Sequence, residues 1–422
     1  MFNQGGLSLD QAPPLSVVMR FFITASIFGI LLGLFLFSQS LHITTLSSYS
    51  TQLITVHTLS LGVMASFMLG ALFQMLPVLA GVVIKTPTTK AMMVHGLLTV
   101  GVLVQLFAFG VTSNSLLYFL ASAYLGLALF YALYLMLKEL IKIKTHSSSS
   151  KGISLALTML IPTVIFGTYL LLTEGGFIHI IDFSQIKEIH YSFALLGWIS
   201  LLIVSVSFQV IEMFYVTPSY PTNITKYLTL TIVLLLILKM TFILLEYPTT
   251  ILTATIALLF LAYATVTIER LTQRKRPTAD ATVWFWLFGM ALFILSMTVT
   301  LIGSFFTISS TLQHLSYIAF IGFALSIVFA MIYKIVPFLT WFHLSNQGYM
   351  EAPMMHDVIH PKKAKIHFYI HFVTIVIWLL TTDITWLGSL LITISFGWLF
   401  YNLIFAIKKY TYTQKHCEKI EW

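Results

Sequence analysis

Three histidines open apolar stretches in a shared context. His57, His190 and His314 are each followed by a glycine (Gly62, Gly197, Gly322), and eleven positions past that glycine come an aromatic residue and a long polar one. These pairs are Phe73 and Gln74, Phe208 and Gln209, Tyr333 and Lys334, and four residues past each aromatic stand Pro77, Glu212 and Pro337. An imidazole among apolar side chains needs a partner, and metal is a leading one. The plainer reading is a polar residue at the membrane interface. The offsets from histidine to glycine are 5, 7 and 8. At about 100° per residue this puts the rings on different faces relative to the glycine. Either each histidine was placed separately or only some of them bind.

A second constellation comprises His343, His356 and His360, then His367 and His371. His356 with His360, and His367 with His371, are four apart, a spacing that shares a helical face and suits copper or zinc. Neither a carboxylate nor a cysteine pattern sharpens that reading. Gln209, Glu212 and Lys334 offer polar groups for a proton path, against the simpler expectation that long side chains snorkel to the membrane surface. Lys239 lies inside an apolar run, and Glu246, on the same helical face, is its nearest in-chain partner. Phe73, Phe208 and Tyr333 are expected to pack helices.

The elements that must hold these groups are membrane helices. With 58% hydrophobic and 9% charged residues, the chain reads as an integral membrane protein. The gaps between apolar stretches are too short for a separate folded unit, so 1–422 reads as one membrane domain. At about 20 residues per crossing, spans fall near 17–39, 53–79, 92–111, 116–137, 153–173, 190–215, 225–245, 249–267, 282–305, 311–340, 367–386 and 388–406. Before the first span, Asp10 is the one charged residue in the first 16, which does not fit a cleaved basic leader, so that span is expected to be retained. The one cysteine, Cys417, excludes an internal disulfide and covalent c-type haem attachment.

Alternate loops and the tail hold Lys85, Lys90, Lys138, Lys142, Lys144, Lys151, Lys226, Arg270, Arg274, Lys275, Arg276, Lys362, Lys363, Lys365, Lys408, Lys409, Lys415 and Lys419. The opposite loops hold Lys187 alone, while Arg20, Lys239 and Lys334 lie within spans. The positive-inside rule then puts both termini in the cytoplasm of an inner-membrane protein, and the charge of +8 reports topology rather than nucleic-acid binding. The three histidines share a depth near the outer ends of spans two, six and ten. Their four-span period predicts an all-α fold of twelve transmembrane helices in three pseudo-symmetric four-helix arcs, with repeat units at 17–137, 153–267 and 282–406 and the even-numbered helices lining the interior.

This arrangement resembles subunit I of the haem–copper oxidases, in which histidines on the second and tenth helices clamp a haem. Span two is more similar to the NnrS-like twelve-span haem proteins, through His57-Thr-Leu-Ser-Leu-Gly62 and Gly70-Ala-Leu-Phe-Gln-Met-Leu-Pro77-Val-Leu-Ala-Gly81, with Arg20-Phe21-Phe22 in span one. The resemblance implies haem b on His57 and His314 in preference to His190, which the repeated context alone leaves as a third cofactor candidate. It further implies a role in nitric oxide or respiratory stress, with a redox partner or respiratory complex and a gaseous ligand such as nitric oxide. The chain departs from the oxidase pattern in having no histidine in span seven and no second histidine close to His314. A copper site and oxygen reduction are therefore not expected. Outside the resemblance, neutral imidazoles on facing helices can bind haem iron axially while apolar side chains cover the macrocycle. The rival readings are a secondary transporter, whose six-span halves the four-span period does not match, and a copper- or haem-handling assembly factor using the second histidine group. Phosphate-binding glycine loops and hydrolase motifs are absent from the sequence.

Overall fold

The computed structural model describes residues 12–41, 48–110, 114–179, 182–276, 280–381 and 383–419; Asp10 lies outside them. Among the described residues, twelve helices are long and apolar enough to cross a bilayer. They are α1 (Leu15–Leu41), α2 (Tyr49–Ala80), α3 (Pro87–Gly110), α4 (Ser115–Leu140), α5 (Ser148–Glu174), α6 (Phe183–Tyr215), α7 (Thr222–Leu244), α8 (Thr250–Thr272), α9 (Ala281–Phe305), α10 (Ser310–Asn346), α11 (Pro361–Leu380) and α12 (Trp386–His416). The chain is a multi-pass, all-α membrane protein. A helix suits this sequence because it satisfies every interior backbone group within one segment, where lipid offers no hydrogen bonds.

Hydropathy locates the helices, whereas caps set their ends. Asn114 Oδ1 accepts from Leu116 N–H at 3.1 Å, Asp182 Oδ1 from Ser184 N–H at 2.9 Å, and Thr385 Oγ1 from Gly388 N–H at 3.1 Å. His360 Nδ1 accepts from Lys362 N–H at 3.2 Å, with Pro361 at the first helical position of α11. This cap starts α11 ahead of the apolar run that begins near 367. Likewise α10 runs to Asn346, so His343 is helical and the expected 341–366 loop contracts to a link with one short helical turn, Met355–Val358. Where α10 ends, Gln347 Nε2 donates to Tyr410 Oη of α12 at 2.8 Å, and Gln414 Nε2 donates to Gln347 Oε1 at 2.9 Å.

The helices bearing the three repeated histidines are the most buried of the twelve. In their most apolar windows, 78, 72 and 67% of residues are buried in α2, α6 and α10, against 33 to 50% in the others. The other even-numbered helices, α4, α8 and α12, are less buried than these three. Apolar surface alone does not decide burial in lipid; close helix contact does.

Two of the three share a feature without a hydropathy signature. In α2 the residues Thr58–Ala65 are π-helical, and in α6 the residues Phe193–Ser200 are π-helical. Each segment has eight residues and carries its glycine, Gly62 or Gly197, at the fifth. Each glycine seats the widened turn on the preceding span. A Cβ on Gly62 would lie 2.8 Å from Phe28 Cγ of α1, and one on Gly197 would lie 2.9 Å from Met159 Cβ of α5. The third repeat departs: α10 is continuous α-helix through Gly322.

The helices gather into two compact units. One contains Pro13–Ala71, Thr278–Gly289 and Leu325–Trp422; the other contains Leu72–Pro277, Met290–Ala324 and the described part of Met1–Ala12. In the first, α1 packs on the π segment of α2, and Gly70 faces Phe21 so closely that a Cβ would sit 2.6 Å from Phe21 Cβ. Gly70→Ala is expected to lower stability by about 1–3 kcal/mol through overpacking. A fall in the thermal midpoint of the detergent-purified protein checks this. Gly96→Ala, where a Cβ meets nothing within 4 Å, should leave the midpoint unchanged or slightly raised.

Candidate functional site

Each repeated histidine ends up half-buried in its own surroundings. His57, the last residue before the first π segment, places Nδ1 2.9 Å from the Leu53 carbonyl oxygen one turn back. In the other unit, His190 reaches across to α5 and places Nδ1 3.0 Å from the Thr163 carbonyl oxygen. Gly167 makes room for that ring, since a Cβ there would lie 2.8 Å from His190 Cε1. A carbonyl oxygen only accepts, so Nδ1 carries the proton in both rings. In the neutral form, Nε2 then holds the lone pair. The same carbonyl bond orients metal-binding histidines in general. His314 differs: its Nε2 is buried with no hydrogen-bond partner among the described residues.

Near His190 lies a buried charge. Lys239 of α7 is 5% exposed; its Nζ lies 3.1 Å from Glu188 Oε1 and donates to Ser192 Oγ at 3.3 Å. The expected partner, Glu246, stands instead in the turn after α7 with φ +58°. Glu188 and Ser192 flank His190 on α6 and immediately precede the second π segment, so sequence distance along α7 gave no sign of them.

Two of the three residues expected to form a proton path, Glu212 and Lys334, take fixed local bonds. Glu212 Oε1 accepts from Tyr220 N–H at 3.1 Å, holding the turn after α6. Tyr220 in turn stacks on Tyr263 with an interplanar angle of 7° and hydrogen-bonds Thr267 Oγ1 at 3.0 Å. Gln209, one helical turn earlier, is half-buried. In the other unit, Lys334 Nζ pairs with Asp280 Oδ2, just ahead of α9. Burial pushes the Asp280 carboxyl up, but the Lys334 ammonium, with hydrogen bonds from Lys334, Thr282 and Val283, holds it below the usual carboxylate range.

The second histidine group divides by exposure. His356 is exposed and lies 3.6 Å from Asp357, and His360 is exposed and caps α11. His367 and His371 are 0 and 2% exposed on the inner face of α11. Both nitrogens of His367 meet hydroxyls: Nδ1 lies 3.0 Å from Tyr333 Oη and Nε2 lies 3.0 Å from Ser395 Oγ. His371 Nε2 lies 2.9 Å from Ser326 Oγ. Tyr333 is therefore more than the packing residue its sequence context suggested. Among the described residues, no three His, Cys, Asp or Glu side chains group as a metal site. Neither protein-family models nor curated proteins match the chain.

Two outcomes follow from the ion pairs. Glu188→Gln strands the buried Lys239 and is expected to cost about 3 kcal/mol, the lower end for a broken buried pair because Glu188 is itself partly exposed. Adding Lys239→Met should restore much of that loss, as a double-mutant cycle of thermal unfolding in detergent would show. For Asp280, a depressed carboxyl stabilises the fold above its unfolded pKa of about 3.9 and loses that contribution as pH falls through the lower folded value. The stability difference between wild type and Asp280→Asn should be present at neutral pH and vanish in that acid window.

Proposed function

We propose that this protein binds haem b in the inner (cytoplasmic) membrane, with both termini cytoplasmic and its helices in three four-helix arcs of the haem–copper oxidase kind, lacking the copper site. The observation that supports this reading is the tautomer imposed on His57 and His190 by carbonyl oxygens, together with the buried, unpartnered Nε2 of His314 among the described residues. These nitrogens have the chemistry of axial haem ligands, and apolar helix faces suit the macrocycle. His57 and His314 are the proposed iron ligands, and His190 is the alternative to His314. The π segment beside His57 adds weight, because π-helical turns are frequent at functional sites.

Bound haem would supply a one-electron centre, and a gas such as nitric oxide would bind it only by displacing one of the two histidines. The similarity of span two to the NnrS-like proteins favours a role in nitric oxide or respiratory stress, with a redox partner or respiratory complex accepting or delivering the electron. A second reading, a secondary transporter, is favoured by the buried Lys239 and its ion pair with the partly exposed Glu188, because intramembrane charges mark ion and substrate pathways.

The deciding measurement is a reduced-minus-oxidised absorbance spectrum of purified, haem-supplemented protein. A low-spin b-type signal is expected, lost in His57→Ala and His314→Ala and kept in His356→Ala and His360→Ala. A haem-supplemented wild type without the signal overturns the reading. A signal lost in His190→Ala rather than His314→Ala moves the second ligand to α6.

A further inference from the structure

Within one of the two units, α10, α11 and α12 enclose a chain of polar side chains that includes none of the three repeated histidines. Its members are Ser326 and Tyr333 of α10, His367 and His371 of α11, and Ser395 and Asn402 of α12, none more than 6% exposed. Ser395 Oγ, His367 and Tyr333 Oη lie in sequence, each contact 3.0 Å. Asn402 Nδ2 donates to Tyr333 Oη at 3.1 Å. The surroundings are aromatic: the Phe329 ring lies 4.6 Å from that of His367 and 5.1 Å from that of His371, and Phe285 lies 5.7 Å from both. The one charged residue of α10 is Lys334, paired with Asp280.

We propose that His367 is a proton relay between the Ser395 and Tyr333 hydroxyls, a function that does not depend on haem binding. A neutral imidazole has one donor and one acceptor nitrogen, and here each nitrogen faces a group that can serve in either sense. A fixed structural bond needs one such partner; passage of a proton needs two. With Nδ1 protonated, Nδ1–H donates to Tyr333 Oη and Ser395 Oγ–H donates to Nε2. A proton arriving on Ser395 Oγ drives the proton already there onto Nε2. The Nδ1 proton then passes to Tyr333 Oη, and the phenolic proton leaves to a water molecule. One proton enters and one leaves, and the ring is left neutral with Nε2 protonated. Asn402 is the positioning residue: its amide donates to the phenolic oxygen, so the phenolic proton must point elsewhere. His371 with Ser326 repeats the imidazole–hydroxyl pairing one turn further from the Pro361 end of α11.

A relay requires the two tautomers of His367 to interconvert, which a structural bond does not. Solid-state NMR of the full chain in lipid nanodiscs, with ¹⁵N-labelled histidine and the His367 signals assigned by His367→Gln, reads the two forms directly. Exchange between Nδ1–H and Nε2–H forms is expected in wild type and lost in Tyr333→Phe and in Ser395→Ala, while the His57 signals stay unchanged. A single static tautomer in wild type overturns the proposal. So does undiminished exchange in either variant that keeps the wild-type thermal midpoint. Should Tyr333→Phe fail to fold, Ser395→Ala decides between the two outcomes by itself.

Discussion

Hydrocarbon does not hydrogen-bond, and the arrangement of polar groups in this protein follows from that. A buried donor or acceptor left alone costs far more in lipid than at an aqueous surface. Each polar side chain within the spans therefore turns inward to a protein partner, reaches the interface, or marks a place for something bound. Lys239 finds Glu188 and Ser192, His190 finds a carbonyl on the preceding span, and His367 finds two hydroxyls. Exceptions stand out by the same logic: among the described residues, the side-chain atoms buried without a hydrogen-bond partner include His314 Nε2, both amide atoms of Gln74, Gln105 Oε1 and Asn402 Oδ1.

The π segments of α2 and α6 are the second organising feature. A π turn widens the helix and shifts the side chains beyond it relative to those before it. In both helices the histidine precedes the widened segment, and the glycine at its fifth position brings it against the preceding span. The difference between the offsets from His57 to Gly62 and from His190 to Gly197 then has a local meaning. His57 adjoins its π segment, whereas His190 is separated from its own by Tyr191 and Ser192, and that places its ring against α5 instead of its own helix.

Much of the fold was legible in the sequence because hydropathy acts over whole segments. The twelve spans appear where about 20 apolar residues run together. Helix ends were less legible because capping is a property of single residues: His360 and Pro361 start α11 in a stretch that hydropathy reads as loop. The sites were least legible. The repeated context exposed His57, His190 and His314 as a set, but partners from other helices leave no trace in spacing. Glu188 stands 51 residues before Lys239, Asp280 stands 54 before Lys334, and Tyr333 stands 34 before His367. Each pairing exists only once helices are side by side.

The length of α10 carries a mechanical consequence. At 37 residues it measures about 55 Å, well beyond the roughly 30 Å of bilayer hydrocarbon. Its surplus is helix, and Gln347 ties that end to α12, itself 31 residues long. A helix this long must tilt in the bilayer or project beyond it, so the bonds from Gln347 hold the two helices together where the hydrocarbon ends.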